Sequence, residues 1–169
     1  GLTDGKYPTR PEYSIRFDYT GPAEQLKPSD DALVSIDSNS SGAVSASRLI
    51  GPNTENLVNV EFDMISVLSP GQTNAIVGLG STDSNYSAYS QVPIIIRMYK
   101  DGSFGVYNGK GYVQSSIKFT QNEKYHIRVS IELATKKYSV FVTAPNQEEV
   151  QIADNFAFRS TAAVPSDIG

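Results

Sequence analysis

Apolar and polar residues alternate with a period of two along much of this chain, and helical periodicity is almost absent. The clearest example is residues 125–133, where tyrosine, isoleucine, valine and leucine take every second position and polar residues such as His126 and Arg128 lie between them. Successive side chains of a strand point to opposite faces. The segment is therefore predicted to be a strand with one buried face and one polar face.

The same alternation predicts most of the remaining secondary structure. Residues 138–143 follow a short turn at residues 134–137, which predicts a hairpin whose apolar side faces the same core. Asp101-Gly102 and Asn108-Gly109 are typical turn pairs, and they predict a three-strand meander. Further strands are predicted at residues 12–20, 32–36, 57–68, 75–79, 92–99, 104–107 and 150–152, with another near Tyr112.

About ten or eleven strands result, a number that suits two packed sheets. The predicted fold is all-β, a two-sheet antiparallel β-sandwich. We expect residues 1–169 to form a single domain, in which residues 21–31 and 38–56 are surface loops.

Composition narrows the functional classes. The 169 residues, 39% of them hydrophobic, are enough for one sizeable core. Lys and Arg number 14 and Asp and Glu number 18, giving a net charge of −4, and the charges are scattered. Nucleic acids and anionic membranes require a basic patch, so neither is an expected partner. The sequence contains no apolar run long enough to predict a membrane-spanning segment. The absence of cysteine excludes disulfides and thiol chemistry.

Three segments of the second half of the chain carry a family resemblance. They are residues 96–102 (IRMYKDG), residues 124–129 (KYHIRV) paired with residues 137–142 (KYSVFV), and residues 152–159 (IADNFAFR). They resemble the concanavalin A-like, laminin G-like jelly-roll modules found beside catalytic domains in bacterial polysaccharide lyases and in cell-surface proteins. The resemblance implies a jelly roll, an extracellular or cell-surface location, and neighbouring domains in a longer protein, and the end of the chain at Ile168-Gly169 fits an excised fragment.

A polar sheet face bearing arginine and tyrosine suits a polar or acidic glycan, because guanidinium groups pair with sugar oxygens and aromatic rings stack on sugars. The 125–133 strand presents His126 and Arg128, and we expect a neighbouring strand to add Arg97 and Tyr99. Tyr112, beside a turn, is a further candidate sugar platform, although the chain has no tryptophan to stack on a sugar. The predicted ligand-binding residues are Tyr86, Tyr89, Arg97, Tyr99, Tyr107, His126 and Arg128. The alternative is a solvated sheet face with cross-strand ion pairs.

Two catalytic alternatives use the same segments. Glu61 and Asp63 resemble part of the E-x-D-x-x-E strand of laminarinase-type glycoside hydrolases, but Ser66 replaces the final carboxylate that would act as the acid. An alginate-lyase-like site would need Arg, His and Tyr to converge, and His126, Arg97, Arg128 and Tyr99 supply those residue types. We assign no catalytic residue from the sequence.

A structural Ca²⁺ is the one ion that the sequence suggests. Residues 81–91 form an oxygen-rich loop that offers Asp83 alone as a carboxylate, so an ion would need help from Asp37, Asp154 or backbone carbonyls. The alternative is a plain flexible loop. With only one histidine and no cysteine, a transition-metal site is not expected.

The sequence favours a non-catalytic, lectin-like extracellular carbohydrate-binding module of a larger bacterial secreted or cell-surface protein, with a polysaccharide or cell-surface glycan as partner. One alternative is a structural or adhesion domain of a surface-layer-type protein without a glycan site. The other is a polysaccharide lyase or glycoside hydrolase.

Overall fold

The computed structural model describes residues 54–81, 90–160, 162 and 165–168 in full, together with the backbone of Tyr89 and of six short strands before residue 51. This part of the chain contains no α-helix; a 3-10 turn at Tyr89–Gln91 interrupts an otherwise all-β structure. No described segment is a helix long and apolar enough to cross a membrane.

Fourteen strands are present among the described residues. In chain order they are β1 (Tyr13–Ser14), β2 (Arg16–Tyr19), β3 (Leu26–Pro28), β4 (Leu33–Ser35), β5 (Val44–Ala46), β6 (Leu49–Ile50), β7 (Leu57–Ile65), β8 (Ala75–Leu79), β9 (Ile94–Met98), β10 (Ser103–Tyr107), β11 (Tyr112–Lys118), β12 (Lys124–Glu132), β13 (Lys137–Thr143) and β14 (Glu149–Ala157).

Two antiparallel sheets contain most of these strands. The six-stranded sheet has the order β11-β10-β9-β8-β2-β5, and the four-stranded sheet has the order β14-β13-β12-β7. The remaining strands form two small pairs, β1 with β6 and β3 with β4.

The two large sheets share one hydrophobic core, which makes the fold a β-sandwich. Every second residue of β12 is buried, from Tyr125 to Ile131, and the residues between them are half-exposed. Each fully buried Ile or Val contributes about 1.5–3 kcal/mol through the hydrophobic effect. The core residues of the six-stranded sheet are Val77, Leu79, Ile94, Ile96, Met98, Phe104 and Val106. Those of the four-stranded sheet are Val58, Val60, Met64, Tyr125, Ile127, Val129, Ile131, Tyr138, Val140, Val142 and Ala153.

Tyr138 links the sheets through a polar contact inside this core. It is 2% exposed, and its hydroxyl donates a hydrogen bond to the backbone carbonyl of Tyr107 on β10. Burial raises the pKa of the Tyr138 hydroxyl far above its usual value, so the group stays a neutral donor.

The predicted β-sandwich is confirmed, as are the β12–β13 hairpin with its shared core and the β9–β10–β11 meander. Its concanavalin A-like topology stays a prediction. The predicted strand at residues 57–68 ends earlier, at Ile65, because the buried Ser66 leaves the ladder and its hydroxyl bonds Thr73 Oγ1 at 2.6 Å.

The prediction of surface loops at residues 21–31 and 38–56 is wrong in part. The first contains β3, and the second contains β5 and β6. These strands are two or three residues long, too short to display an alternation of period two, and each pairs with a partner elsewhere in the chain. The single strand predicted at residues 12–20 is two strands in different sheets, β1 and β2.

Candidate functional site

The outer face of the six-stranded sheet gathers an arginine and three tyrosines. In β9 and β10 the core takes Ile96, Met98, Phe104 and Val106, so the residues between them point away from it. Arg97 pairs across the ladder with Gly105, and Tyr107 pairs with Tyr112. We call Arg97, Tyr99, Tyr107 and Tyr112 the tyrosine–arginine face; all four side chains are half-buried.

The three rings of this face contact one another edge to face. Tyr112 lies between the other two, with its ring centroid 5.7 Å from that of Tyr99 and 5.1 Å from that of Tyr107. The planes are close to perpendicular in both pairs, at 87° and 90°, which is a favoured aromatic arrangement.

Gly105 makes room for the Tyr99 ring. A Cβ atom at position 105 would lie 2.4 Å from Cε2 of Tyr99, closer than real side chains approach. The ring thus occupies the space above a strand residue that has no side chain. Burial raises the pKa of the Tyr99 hydroxyl, although the nearby Arg97 cation opposes that shift.

Arg97 is held by neutral groups. Its Nε and Nη2 atoms donate hydrogen bonds to Oδ1 of Asn74, at 2.9 and 2.6 Å. The guanidinium carbon lies 4.5 Å from the ring centroid of Tyr99 and 5.3 Å from that of Tyr112, within cation–π range. Among the described residues, no carboxylate forms an ion pair with Arg97.

Tyr107 is fixed from several directions. Its hydroxyl donates to the carbonyl of Lys110 at 3.0 Å, and the guanidinium of Arg159 lies 4.0 Å from its ring centroid. Arg159 is only 8% exposed, and its backbone N–H donates to the carbonyl of Pro93 at 2.8 Å. Together with the bond from Tyr138 to its carbonyl, these contacts hold Tyr107 in one position.

The outer face of the four-stranded sheet has a different character, because it is a ladder of opposite charges. His126 Nδ1 lies 2.9 Å from Oδ1 of Asp63, and its Nε2 lies 3.4 Å from Oε2 of Glu61. The ammonium of Lys124 lies 3.1 Å from the other oxygen of Asp63. Partial burial alone would raise the pKa of Asp63, but hydrogen bonds from His126 and Lys124 outweigh it and lower that pKa.

Arg128 continues this ladder across β13. Its guanidinium makes a two-point pair with Glu149, in which Nε donates to Oε1 at 3.0 Å and Nη2 donates to Oε2. It also lies over the ring of Phe141, with 3.8 Å between the guanidinium carbon and the ring centroid. The hydrogen bond from Arg128 lowers the pKa of Glu149, and the same bond raises the pKa of Arg128. We call Glu61, Asp63, Lys124, His126, Arg128 and Glu149 the charged ladder.

The structure separates the predicted ligand-binding residues into two groups. Arg97, Tyr99 and Tyr107 lie on one outer face of the sandwich, whereas His126 and Arg128 lie on the opposite one. The expectation that Arg97 and Tyr99 stand beside the 125–133 strand is therefore wrong, since β9 and β12 belong to different sheets. The Arg, His and Tyr of the lyase hypothesis do not converge. Tyr86 lies outside the described residues, and Tyr89 is described only in its backbone, in the 3-10 turn.

The carboxylates of the hydrolase hypothesis belong to the charged ladder. Glu61 and Asp63 are two residues apart on the outer face of β7, and both contact His126. Ser66, at the position of the missing acid, is buried and hydrogen-bonded to Thr73.

Calcium binding stays a prediction. Asp37 and Asp83 lie outside the described residues. Asp154 is exposed on β14, where its Oδ1 accepts hydrogen bonds from Gln151 at 3.1 Å and from Asn155 at 2.8 Å. Within the described ranges no three acidic or histidine side chains are grouped as metal ligands would be.

Two residues at the tyrosine–arginine face, Tyr112 within it and Asn74 beside it, do not belong to the predicted ligand-binding set. Tyr112 belongs to the face because it is the cross-strand partner of Tyr107. The Asn108-Gly109 turn between the two tyrosines is the sequence signal that could have predicted this pairing. Asn74 reaches Arg97 because Ala75 and Ile76 pair with Met98 and Arg97, a register that the sequence alone does not reveal.

Fold and face together define an all-β sandwich domain with an outward cluster of tyrosine and arginine. Over 121 residues, or 70% of its length, the chain is 31% identical to a gellan lyase from Bacillus sp. The matched segment is 5% of that protein, so this chain corresponds to a small part of its relative. No protein-family model matches the chain, and no solved structure gives a significant match.

Proposed function

We propose that this chain is a non-catalytic carbohydrate-binding module of a larger secreted or cell-surface protein. Its binding surface is the tyrosine–arginine face. The observation that carries the proposal is the convergence of Arg97, Tyr99, Tyr107 and Tyr112 on one outer face, in direct contact with one another.

The chemistry of these side chains suits a sugar. Aromatic rings pack against the C–H faces of pyranose rings, and a guanidinium group bonds the hydroxyls around the ring. The rings are held by mutual contacts and by the Tyr107–Lys110 hydrogen bond, so little side-chain entropy is lost on binding.

The similarity to gellan lyase supports the same proposal. That protein is named for its action on gellan, a polysaccharide, and the matched segment is 5% of its length. We propose that the corresponding segment is an accessory module that contacts polysaccharide. By the same reasoning we place the parent protein outside the cell or at its surface.

The charged ladder is the weaker candidate surface. The prediction that His126 and Arg128 bind a glycan stays open, but both side chains are already engaged by carboxylates. A ligand there must displace Asp63, Glu61 or Glu149 from its ion pair. At Arg97 a ligand would compete only with neutral partners such as the amide of Asn74.

Affinity electrophoresis in gels containing gellan or other bacterial and plant polysaccharides tests the proposal. Wild type should be retarded by at least one polymer, and Tyr99→Ala and Tyr112→Ala should each weaken binding about threefold to tenfold, the usual worth of an aromatic contact. Phe141→Ala is the matched control, because it removes an aromatic ring from the opposite outer face.

Melting curves of each variant separate lost binding from lost folding. Weakening by Phe141→Ala with unchanged binding by the tyrosine variants would move the site to the charged ladder. Failure of wild type to bind any polymer in a broad panel would instead favour a structural or adhesion domain.

A further inference from the structure

Carboxylates are distributed unequally between the two sheets. The four strands of the six-stranded sheet whose side chains are described, β8 to β11, contain no Asp or Glu and carry Arg97 and Lys118. The four-stranded sheet carries five carboxylates: Glu61, Asp63, Glu132, Glu149 and Asp154. A chain of net charge −4 thus keeps its tyrosine–arginine face free of negative side chains on these strands.

Arg97 and Arg128 have different partners because carboxylates are distributed unequally between the two sheets. Arg128 is neutralised by a two-point pair with Glu149. Arg97 is also half-buried, yet its hydrogen bonds go to the neutral Asn74, and its remaining contacts are with tyrosine rings. Lys118, the other cation on these strands, pairs with Asp101 at 3.4 Å.

We propose that Arg97 binds the carboxylate of an acidic sugar, so that the module selects polysaccharides containing uronic acid. This inference rests on the proposed function and adds the chemical class of the ligand. The bonds to Asn74 use Nε and Nη2, and a further hydrogen bond joins the guanidinium to the neutral Tyr99 hydroxyl, so none of these partners neutralises the charge of Arg97. A planar carboxylate matches the fork of a guanidinium, and a charge-assisted pair of this kind is about twice as strong as a neutral hydrogen bond.

The tyrosines place the rest of the sugar. Tyr99 and Tyr112 both contact the guanidinium, so a sugar whose carboxylate meets Arg97 has its ring within reach of their side chains. The two side-chain types therefore have separable roles: tyrosine contributes to binding of any pyranose, and Arg97 contributes only when the sugar carries a negative charge.

A matched pair of ligands tests this separation. One is a polyuronate such as alginate, and the other is the same polymer after carbodiimide-mediated reduction of its carboxyl groups to alcohols. Binding to both is measured by isothermal titration calorimetry for wild type, Arg97→Gln, Arg97→Lys and Lys137→Gln. Lys137 is exposed on the outer face of the other sheet, and its substitution changes the net charge by the same amount as Arg97→Gln.

We expect wild type to bind the polyuronate at least tenfold more tightly than the reduced polymer. Arg97→Gln should lose that preference, Arg97→Lys should recover only part of it, and Lys137→Gln should keep it. A tyrosine variant, Tyr112→Ala, should weaken binding to both polymers. Arg97→Lys also guards against a folding defect in Arg97→Gln, since it keeps the charge and the aliphatic stem.

The remaining outcomes are distinguishable. Equal binding of the two polymers, unaffected by Arg97→Gln, would overturn the carboxylate inference while leaving glycan binding intact. Equal losses for Arg97→Gln and Lys137→Gln would show that overall charge alone matters, which also overturns it. Binding of neither polymer, nor of any other polysaccharide, would remove the proposed function and this inference together.

Discussion

Gly105 matters because it has no side chain. It lies under Tyr99 on the outer face, and a Cβ there would approach the ring to 2.4 Å. The ring of Tyr99, and with it the contacts to Arg97 and Tyr112, depends on this gap.

We therefore predict that Gly105→Ala displaces the Tyr99 ring. It should weaken polysaccharide binding about as much as Tyr99→Ala and cost about 1–3 kcal/mol of stability, the usual penalty for overpacking. Gly111→Ala is the control, because a Cβ at position 111 meets nothing within 4 Å. Titration with polysaccharide and chemical denaturation measure the two effects, and similar behaviour of both variants would contradict the prediction.

At the residue scale the sequence predicts which side chains face outward but not what they contact. Alternation along residues 125–133 and 96–99 predicts that His126, Arg128 and Arg97 point away from the core, and the structure confirms this. Arg128 pairs with Glu149, 21 residues away in the sequence, and Arg97 pairs with Asn74, 23 residues away. Such pairs follow from strand register across a sheet, which a single sequence does not encode locally.

At the scale of the element, β7, β12, β13 and β14 are joined by their side chains as well as by their backbone. The charged ladder crosses all four strands, from Asp63 on β7 to Glu149 on β14. Hydrogen bonds from Arg128 lower the pKa of Glu149, and those from His126 and Lys124 lower the pKa of Asp63 despite partial burial.

A carboxyl group whose pKa is lower in the folded than in the unfolded chain stabilises the fold above the unfolded pKa. That contribution disappears as the pH falls through the folded pKa. We predict that the wild-type melting temperature falls on acidification below about pH 4.5. Glu149→Gln should be less stable than wild type at pH 7 by about 0.5–1 kcal/mol and nearly equal to it at pH 3.

Differential scanning fluorimetry from pH 3 to pH 7 measures this convergence. Glu148→Gln serves as the control, because Glu148 is an exposed neighbour without an ion pair among the described residues. A constant gap between wild type and Glu149→Gln across the pH range would show that the Arg128 pair does not contribute as proposed.

Strands with an unbroken alternation are predictable from the sequence, whereas β3, β5 and β6, of two or three residues each, are not. β7, β12 and β13 have at least seven residues, so their alternation is visible. β14 is predicted only at residues 150–152 but runs over Glu149–Ala157, because register shifts in its pairing with β13 and a positive φ of 51° at Asn155 break the alternation.

At the scale of the whole molecule, one buried hydroxyl joins the core to the outer face. Tyr138 belongs to the four-stranded sheet, and the carbonyl that it bonds belongs to Tyr107 of the six-stranded sheet. The contact fixes the spacing of the two sheets at the point where Tyr107 stands.

We predict that Tyr138→Phe lowers the stability by about 1–3 kcal/mol, because it leaves the Tyr107 carbonyl without its buried donor. For a chain of this size the melting temperature should fall by about 2–9 °C. Thermal unfolding followed by circular dichroism measures the change. Equal melting temperatures for the two proteins would mean that water or another group replaces the donor at no cost.

The assignment of strands to sheets is the part of the fold that the sequence does not provide. Arg97 of β9 and Arg128 of β12 both alternate with core residues, yet the two strands belong to opposite sheets. The alternation predicts that each arginine points away from the core, but not on which face of the sandwich it lies. The predicted ligand-binding residues therefore belong to two different surfaces, and the structure brings Arg97, Tyr99 and Tyr107 together on one of them.

The unequal placement of carboxylates between the sheets also gives the domain an electrical polarity. The four-stranded sheet carries five carboxylates and the three cations Lys124, Arg128 and Lys137, a net charge of −2, whereas β8 to β11 carry Arg97, Lys118 and no carboxylate. A polyanionic polymer approaching through solvent would therefore meet a more favourable potential at β8 to β11 than at the four-stranded sheet. Such a field orients two molecules before they touch, so the β-sandwich would approach a charged polymer in one preferred orientation. Any part of the protein attached to the sandwich would then lie on one defined side of the polymer.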